Sequence, residues 1–521
     1  MNIAHLLSGW VETSGDRAAL IDNAAGANRI VTFAQLDVAA ARIAAQLHDA
    51  GLRRGDAVLL IQPVSADLYI LFTAILRSGL VAVFIDPSAG LDHIGQCCRV
   101  YPPKAFIGCG RAQLLRAVSP ALRRIPLKFS TDWPVWGTRR LDPGFALLVR
   151  REIEDCSEAW PAIVRFTSGS TGQPKAAMRS HGFLLEQQRV LQRSFGLTAG
   201  EVDLVTMPMF VLSNLAAGVT SLIPHASLRV PGAVPPESLW REIERHRPQS
   251  FGAAPALLEN LADHCVRHGQ TLEGLKKIFT GGASVFPRLL DKLHAVAPAA
   301  EIIGVYGSTE AEPIALLHER DLSVEDRRRI AGGKGLLAGF PDDAIRVRIL
   351  REEGGVTGGE VSVADFEVAS LPPGEPGQVV VSGPHVQPGY VNDTAGVRET
   401  KIRVGDTVWH QTGDAGYLDD CGRLWLLGRS GARIRDGHGT LYPFEVEGVA
   451  MEDVRVRRAA LLGHKGRRLL AIESDGGLDT GAMTIQLEWA FIDTIRILRR
   501  LPVDKRHNSK IDYVALRALL E

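Results

Sequence analysis

The chain has 521 residues, too many for one ordinary core, so at least two domains are expected. Its 45% hydrophobic and 23% charged residues are typical of soluble globular proteins. Lys plus Arg and Asp plus Glu both number 59, and this neutrality argues against a nucleic-acid or anionic-membrane surface on bulk electrostatics. A small ligand that is recognised locally fits the composition better.

The cysteines and the first residues indicate a cytoplasmic protein. The six cysteines include no CxxC pair, and adjacent Cys97 and Cys98 do not suit a structural disulfide, so we interpret them as reduced thiols. The start of the chain lacks a basic stretch followed by an apolar core, which argues against an export signal. The most apolar window, Leu68 to Ile85, is interrupted by Arg77, so we expect no integral membrane segment.

Helices and strands alternate in the first part of the chain. Thr32 can cap a helix whose apolar residues recur every three or four positions as far as Leu47. A strand (AVLLIQ) follows Asp56, a helix covers about 67–76, and a second strand (LVAVFI) ends at Asp86. This alternation predicts an α/β architecture with buried parallel strands.

The segment from Ile163 to Lys175, IVRFTSGSTGQPK, predicts a short buried strand that runs into a phosphate-holding loop. Its hydroxylated and flexible residues are Thr167, Ser168, Gly169, Ser170, Thr171 and Gly172. Hydroxyls donate hydrogen bonds, glycines let the backbone approach an anion, and Lys175 adds positive charge. The spacing is not that of the Walker loop, because Pro174 precedes the lysine and Ala176 follows it. For this window alone, a Ser/Gly-rich surface turn stays open.

Three further segments continue the alternation toward a common sheet edge. The apolar segment Met207 to Pro224 either walls an apolar pocket or forms a core helix, and the pattern leaves both open. The segments IFTGGAS (Ile278 to Ser284) and IIGVYGSTE (Ile302 to Glu310) each predict a strand that ends in a turn. In open α/β sheets, ligands bind outside the carboxyl ends of the strands. A hydroxyl beside a carboxylate, as at Thr309 and Glu310, suits Mg²⁺.

The pattern of predicted elements changes in the C-terminal half. The charged run from His318 to Arg329 predicts a solvated helix with charge pairs four residues apart and no chemical role. From Phe340 onward, short strands and turns predict a β-rich section. Asp414 follows a glycine in a turn there, where a carboxylate can accept both hydroxyls of a ribose. The residues from Ser430 onward predict a small α+β domain.

Four motifs in one order, TSGSTGQPK, YGSTE, TGD with a later GR, and a lysine in SKID, resemble the adenylate-forming superfamily of acyl-CoA synthetases, nonribosomal-peptide adenylation domains and luciferases. QVVVSGPHVQPGYVN and LYPFEVE are similar to further patterns of that superfamily, and the resemblance spans nearly the whole chain. It implies an α/β fold with a large N-terminal AMP/ATP-binding domain (1–428), containing parallel sheets and a β-rich subdomain. A small, mobile C-terminal α+β domain (429–521) would follow.

The resemblance also implies a nucleotide site in the large domain. The loop from Thr167 to Gly172 would wrap the β- and γ-phosphates of ATP, with the assistance of Lys175. Tyr306 would lie against the adenine. The residues lining the other side of the adenine would be Gly281, Gly282 and Ala283.

Five residues would act around the α-phosphate and the ribose. Thr309 would contact the α-phosphate region, and Glu310 would hold Mg²⁺. Asp414 would bind the ribose hydroxyls, supported by Arg429. Lys510 would enter from the small domain to bridge the substrate carboxylate and the α-phosphate. Since carboxylate attack gathers negative charge on the phosphate oxygens, fixed cations there stabilise the transition state.

The endings of several motifs resemble one group of the superfamily, the olefin-pathway β-lactone synthetases. The similar segments are PVDKRHNSKI, GGKGLLAGFP, GRLWLLGR and MPMF. The likeness implies a substrate pocket that includes Phe210, Gly307 and Glu312. Glu312 replaces a commonly apolar residue, which predicts a pocket that is polar there or smaller. Gly431 and Ala432 replace the acid that usually follows the GR motif, which favours a reaction without a second, thiol substrate.

We therefore hypothesise an ATP- and Mg²⁺-dependent ligase that adenylates a carboxylic acid with release of pyrophosphate. The preferred substrate would be a 3-hydroxy acid, which the enzyme closes to a β-lactone with release of AMP. One alternative is a CoA ligase of fatty or aryl acids, and another is a nucleotide-binding protein without turnover. Use of CoA and the oligomeric state stay open, and nothing in the charge pattern indicates a nucleic-acid partner.

Overall fold

The computed structural model describes residues 1–23, 28–86, 89–144, 152–168, 174–225, 234–353, 356, 358–391, 394–504 and 510–521. The chain forms two compact units. The first comprises Met1–His225 and Gln387–Glu399, and the second comprises Ala226–Val386 and Thr400–Glu521.

The first unit contains the predicted alternation of helices and strands. Its helices are α1 (Ala4–Ser8), α2 (Val11–Ser14), α3 (Phe33–Asp49), α4 (Ala66–Arg77), α5 (Leu91–Val100), α6 (Gly110–Leu114), α7 (Pro120–Arg124), α8 (His181–Ser194) and α9 (Phe210–Ala217). Its strands are β1 (Ala18–Asp22), β2 (Arg29–Thr32), β3 (Ala57–Ile61), β4 (Val81–Phe84), β5 (Ala105–Gly108), β6 (Leu127–Ser130), β7 (Arg139–Arg140), β8 (Pro161–Ser168), β9 (Pro174–Ser180), β10 (Val202–Val205) and β11 (Thr220–Ile223).

These strands form two layers of mostly parallel sheet. One has the order β7-β6-β5-β3-β4-β8-β9, antiparallel only between β8 and β9. In the other, β10, β11 and β1 are parallel and β2 is antiparallel to β1. Thr32 caps α3 as predicted, because its side chain accepts from the backbone N–H of Gln35 and the Gln35 side chain accepts from Thr32 in return.

The second unit contains the β-rich section. Its helices, with α15 beginning in the first unit, are α10 (Pro236–His246), α11 (Pro255–His268), α12 (Pro287–Val296), α13 (Val324–Ala331), α14 (Val363–Ala369), α15 (Thr394–Thr400), α16 (Pro443–Ala450), α17 (Thr480–Gln486) and α18 (Tyr513–Leu520). Its strands are β12 (Ser250–Ala253), β13 (Lys277–Gly281), β14 (Glu301–Ser308), β15 (Ala311–His318), β16 (Leu336–Pro341), β17 (Arg346–Leu350), β18 (Gly359–Val361), β19 (Gly377–Ser382), β20 (Lys401–Val404), β21 (Thr407–Leu418), β22 (Leu424–Arg429), β23 (Ile434–Asp436), β24 (Gly439–Leu441), β25 (Arg458–His464), β26 (Arg467–Glu473) and β27 (Thr494–Leu498).

The second unit contains a parallel part and an antiparallel part. Strands β12, β13 and β14 are parallel, and the sheet continues through antiparallel β15, β16, β22, β21, β19 and β17. After residue 433 the chain forms a separate hairpin (β23, β24) and a separate sheet of β25, β26 and β27. The predicted fold class is thereby confirmed. The domain boundary between residues 428 and 429 remains a prediction.

The solvated helix expected between His318 and Arg329 begins only at Val324, and it is solvated over only part of its surface. Asp326, near the start of α13, is only 2% exposed. Both its carboxylate oxygens accept from Arg423, at 2.9 Å each, and the Arg329 guanidinium lies 4.2 Å from the ring centre of Trp425. Charge spacing along a helix cannot reveal partners that lie far away in the sequence. Among the described residues, no helix is both long and apolar enough to cross a bilayer.

Candidate active site

A cavity of about 590 Å³ lies within the second unit and gathers residues from widely separated motifs. The predicted site residues that line it are Gly282, Ala283, Tyr306, Gly307, Thr309, Glu310, Asp414, Arg429 and Lys510. Two predicted residues of the second unit stand outside this lining: Gly281 ends β13, and Glu312 lies in β15.

Parallel pairing explains why two of these motifs meet. Gly281 of β13 is paired with Val305 of β14, so the turns after both strands leave the same edge of the sheet. The strands also approach closely at that point, since a Cβ on Gly281 would lie 2.5 Å from the Val305 carbonyl oxygen. Gly282, which follows with φ +81°, takes a left-handed conformation that favours glycine.

Asp414 is held by two neighbours at the cavity wall. Its Oδ2 accepts from the Tyr306 hydroxyl at 2.7 Å, and its Oδ1 lies 3.3 Å from Nη1 of Arg429. The register explains the second contact, because Asp414 of β21 is paired with Arg429 of β22. Burial raises the pKa of Asp414, while the positive charges of Arg429 and Lys510 and the hydrogen bond from Tyr306 oppose that rise. Such a carboxylate can accept further hydrogen bonds from a bound polyol.

Tyr306 remains a neutral phenol at this site. Burial raises its pKa well above the ordinary value, and the charge of Asp414 raises it further. The hydroxyl therefore acts as a hydrogen-bond donor to Asp414, which fixes the ring at the cavity wall.

Glu310 lies in the turn after β14. The Ser308 hydroxyl accepts from the backbone N–H groups of Glu310 and Ala311, at 3.3 and 3.2 Å, and shapes this turn. In the described part of the chain, no three His, Cys, Asp or Glu side chains are grouped closely enough to form a metal site. A hard cation at Glu310 would therefore need further oxygen ligands from a bound nucleotide or water, which suits Mg²⁺.

A buried lysine near Glu310 was missed by sequence reasoning. Lys401 of β20 is 2% exposed, and burial lowers its pKa to about 7 although the charge of Glu310 opposes this. Its partner across the sheet is His410 of β21, whose pKa is lowered to about 3 by burial and by the charge of Lys401. The sequence signal is weak: a lysine at the start of a short segment, KIRV, in which apolar residues alternate with cations.

Two hydrogen bonds connect the backbone of Lys510 to Asp504. Its backbone N–H donates to Asp504 Oδ1 at 2.9 Å, and its carbonyl accepts from the Asp504 N–H at 2.8 Å. Further along, the Tyr513 hydroxyl donates to Oε1 of Glu447 at 3.2 Å. Glu447, 4% exposed, also accepts from the Leu461 N–H at 2.9 Å, and burial raises its pKa to about 7.

Glu447 and Tyr513 both line the cavity and were not predicted as site residues. Glu447 ends the LYPFEVE segment, whose only sequence signal was its likeness to a motif. Their contact links α16 to the beginning of α18, three residues after Lys510.

The first unit holds the described part of the predicted phosphate loop. Thr167 and Ser168 end β8, whereas Gly169, Ser170, Thr171 and Gly172 lie outside the described residues. Lys175 follows in β9, paired with Thr167. Its side chain is buried, and Nζ donates to Glu399 Oε2 at 2.8 Å.

A second cavity, of about 180 Å³, lies within the first unit. Phe210 lines it together with Tyr69, Phe72 and Phe84, and Arg179 contributes a polar part of the wall. The segment from Met207 to Pro224 therefore combines both of its alternatives. Its beginning, with Phe210, borders the cavity, while the rest of α9 and β11 packs into the core.

The cavity brings together a carboxylate, a tyrosine and a lysine that the resemblance to adenylate-forming enzymes implied as site residues. The chain belongs to the AMP-binding enzyme family, which matches residues 7–391. It is an AMP-forming ligase that activates a carboxylic acid with ATP.

Individual relatives support this assignment. The chain is similar to an olefin beta-lactone synthetase of Xanthomonas campestris pv. campestris, with 32% identity over 92% of this chain and 89% of the relative. A second protein of that name, from Stenotrophomonas maltophilia, is 31% identical over the same shares. The fold matches the amide bond synthetase McbA from Marinactinospora thermotolerans with a TM-score of 0.80 and 23% identity, covering 100% of this chain and 99% of that one.

Proposed function

We propose that this enzyme adenylates a 3-hydroxy acid and then closes it to a β-lactone with release of AMP. The observation that carries the proposal is the 32% identity, across 92% of this chain, to an olefin beta-lactone synthetase. The cavity of the second unit supports the adenylation step, because it joins Glu310, Asp414 and Lys510 in one lining. A nucleotide-binding protein without turnover would not need all three together.

In the adenylation step, Asp414 would accept the ribose hydroxyls while Tyr306 lies against the adenine. A carboxylate oxygen of the acid attacks the α-phosphorus, and the bond to pyrophosphate breaks. Lys510 would lie between the acid carboxylate and the α-phosphate, where a fixed cation stabilises the negative charge that develops. Thr309 would contact the same phosphate.

The remaining groups would hold the leaving pyrophosphate and its counter-ion. The loop from Thr167 to Gly172 would donate hydrogen bonds to the β- and γ-phosphates, and Lys175 would add positive charge. Glu310 would hold Mg²⁺, which supplies charge neutralisation at the phosphates when it is bound.

Ring closure needs no second substrate. The 3-hydroxyl oxygen of the acyl-adenylate attacks the carbonyl carbon, the bond from that carbon to AMP breaks, and the hydroxyl proton is released. Nucleophile and electrophile belong to one bound molecule, which gives the step its proximity advantage. Gly431 and Ala432, in a 3-10 turn at Ser430–Ala432, replace an acid expected at the hinge and support a reaction without a thiol.

Mass-spectrometric product analysis tests the proposal. The enzyme is incubated with ATP, Mg²⁺ and matched pairs of 3-hydroxy and unsubstituted acids of equal chain length, each with and without CoA. We expect a product with the mass of the acid minus water, formed together with AMP from the 3-hydroxy acid alone and independently of CoA. The unsubstituted acid of each pair controls for the hydroxyl and should stop at the adenylate.

A product with the mass of an acyl-CoA thioester, seen only with CoA, would replace lactone formation by CoA ligation. The absence of pyrophosphate release with every acid would contradict adenylation itself. The two failures are distinguishable because they concern different products.

A further inference from the structure

Residues 110–140 of the first unit carry a surface that differs from the rest of this neutral chain. The segment has seven cationic side chains and a single carboxylate, Asp132. The cations are Arg111, Arg116, Arg123, Arg124, Lys128, Arg139 and Arg140. The chain is neutral overall, but this segment carries a strong local excess of positive charge.

No carboxylate within the described ranges forms an ion pair with any of these seven cations. Three of them donate to backbone carbonyls instead: Nη2 of Arg116 to Trp136 at 2.8 Å, Nε of Arg123 to Arg116 at 3.2 Å, and Nζ of Lys128 to Ile125. Asp132 accepts from the backbone N–H of Gly110 at 2.6 Å. The positive charge of this segment is thus left uncompensated.

Large apolar side chains are exposed among these cations. Trp136 is 96% exposed, Val118 60% and Leu114 59%. Trp136 lies in the loop between β6 and β7, whereas Leu114 and Val118 flank the 3-10 turn at Leu115–Ala117. The hydrogen bond from Arg116 to the Trp136 carbonyl joins the two segments into one surface.

We propose that this surface, the Trp136 surface, binds the anionic face of a lipid bilayer. It is defined by Leu114, Arg116, Val118, Arg123, Arg124 and Trp136. Tryptophan prefers the headgroup level of a membrane, and arginines beside it attract anionic lipids. Exposed aliphatic side chains can enter the acyl boundary below the headgroups.

The apolar members favour a bilayer over other anionic partners. A nucleic acid would use the arginines and could stack on Trp136, but it has no apolar phase for Leu114 and Val118. The proposal concerns reversible attachment to a surface and does not depend on which acid the enzyme activates.

Vesicle binding of the full chain tests this inference. The protein is sedimented with vesicles of phosphatidylcholine alone or of phosphatidylcholine mixed with phosphatidylglycerol. We expect binding to the anionic vesicles to be at least about tenfold tighter and to weaken as salt is raised. A blue shift of tryptophan fluorescence on binding should disappear in Trp136→Phe.

Two pairs of variants locate the surface. Arg123→Gln with Arg124→Gln should weaken binding to anionic vesicles by about tenfold or more, since each cation near the bilayer contributes attraction. The matched control is Arg241→Gln with Arg245→Gln, two exposed arginines of α10.

Val118→Ser should weaken binding severalfold, whereas Val454→Ser, at a position that is 82% exposed, should not. All variants should retain acid-dependent exchange of pyrophosphate into ATP without vesicles, which shows that they are folded.

Equal binding to both kinds of vesicle, or binding that the Trp136 surface variants leave unchanged, would overturn the proposal. Tighter binding to duplex DNA than to anionic vesicles would do the same and assign the surface to a nucleic acid.

Discussion

The two cavities of this enzyme differ in the number of ionisable groups that line them. The cavity of the second unit, about 590 Å³, is lined by ionisable groups that include Glu310, Asp414 and Lys510. The cavity of the first unit, about 180 Å³, is walled largely by apolar side chains such as Phe72 and Phe210. Charges arranged around a reacting centre change a rate, whereas an apolar wall discriminates by shape and size. We therefore expect the larger cavity to govern catalysis and the smaller one to govern selectivity among acids, and each of the following changes tests one of these expectations.

Lys510→Ala should have the largest effect. We expect acid-dependent exchange of pyrophosphate into ATP to fall by about 1,000-fold, because the variant loses the cation that would stabilise charge on the α-phosphate. ATP binding, measured by calorimetry, should persist. The matched control is Arg467→Ala, which removes an exposed cation of the same C-terminal part. Exchange at the native rate would remove Lys510 from the chemistry.

Glu447→Gln tests how the charges of the larger cavity are maintained. Burial raises the pKa of Glu447 to about 7 from 4.5, so the folded protein retains a proton that the unfolded chain has released. The free energy of unfolding of the native protein should therefore fall as pH rises from about 4.5 to 7. In the native protein this fall should amount to up to about 3 kcal/mol, and the glutamine variant should not show it.

The measurement is denaturant unfolding at a series of pH values. Glu367→Gln, at an exposed position of α14, serves as the control and should follow the native protein throughout. A constant difference in unfolding free energy between Glu447→Gln and the native protein across this range would contradict the raised pKa.

Asp414→Ala should weaken the binding of ATP, because it removes the expected acceptor of the ribose hydroxyls. Loss of hydrogen bonds to a charged acceptor should raise the KM for ATP by about 30-fold. A double comparison makes the result specific: 3′-deoxy-ATP should be a poor substrate for the native enzyme, yet Asp414→Ala should treat ATP and its deoxy analogue alike. Tyr306→Phe removes only the hydroxyl that donates to Asp414 and should cost less. If Asp414→Ala still distinguished ATP from 3′-deoxy-ATP as strongly as the native enzyme does, another residue would bind the ribose.

Phe210→Ala should have the smallest effect and one of a different kind. Enlarging the apolar cavity should shift the preference among acids toward bulkier chains by about fivefold in kcat/KM, with the KM for ATP unchanged. Phe340→Ala, half-exposed in the second unit, is the control. A change in the KM for ATP with no change in acid preference would break the separation between the two cavities.

Local signals in the sequence were sufficient for much of the fold. Helix α3 follows its apolar spacing from the Thr32 cap. Parallel strands that end in Gly281 and in the YGSTE turn follow from apolar runs and turn residues. These features could be predicted because caps, periodicity and glycine turns act over a few residues.

Contacts between distant residues escaped prediction. Asp326 was assigned to a solvated helix, but its partner Arg423 lies in the β-rich section. Lys401 near Glu310, and Tyr513 against Glu447, likewise join separate elements. The composition argued against an anionic-membrane surface, but overall neutrality does not show where charges cluster, as the seven cations of residues 110–140 illustrate.

The sequence by itself determined the chemistry that the chain can perform: which side chains can accept ribose hydroxyls, hold Mg²⁺ or offer a cation, and which strands end beside them. Only the tertiary structure decided which of these groups share a cavity and which other buried charges surround them. The physical reason is that residue type and local spacing set what a group can bind. Its burial, its pKa and its partners depend instead on strand register and on packing between residues far apart in the chain.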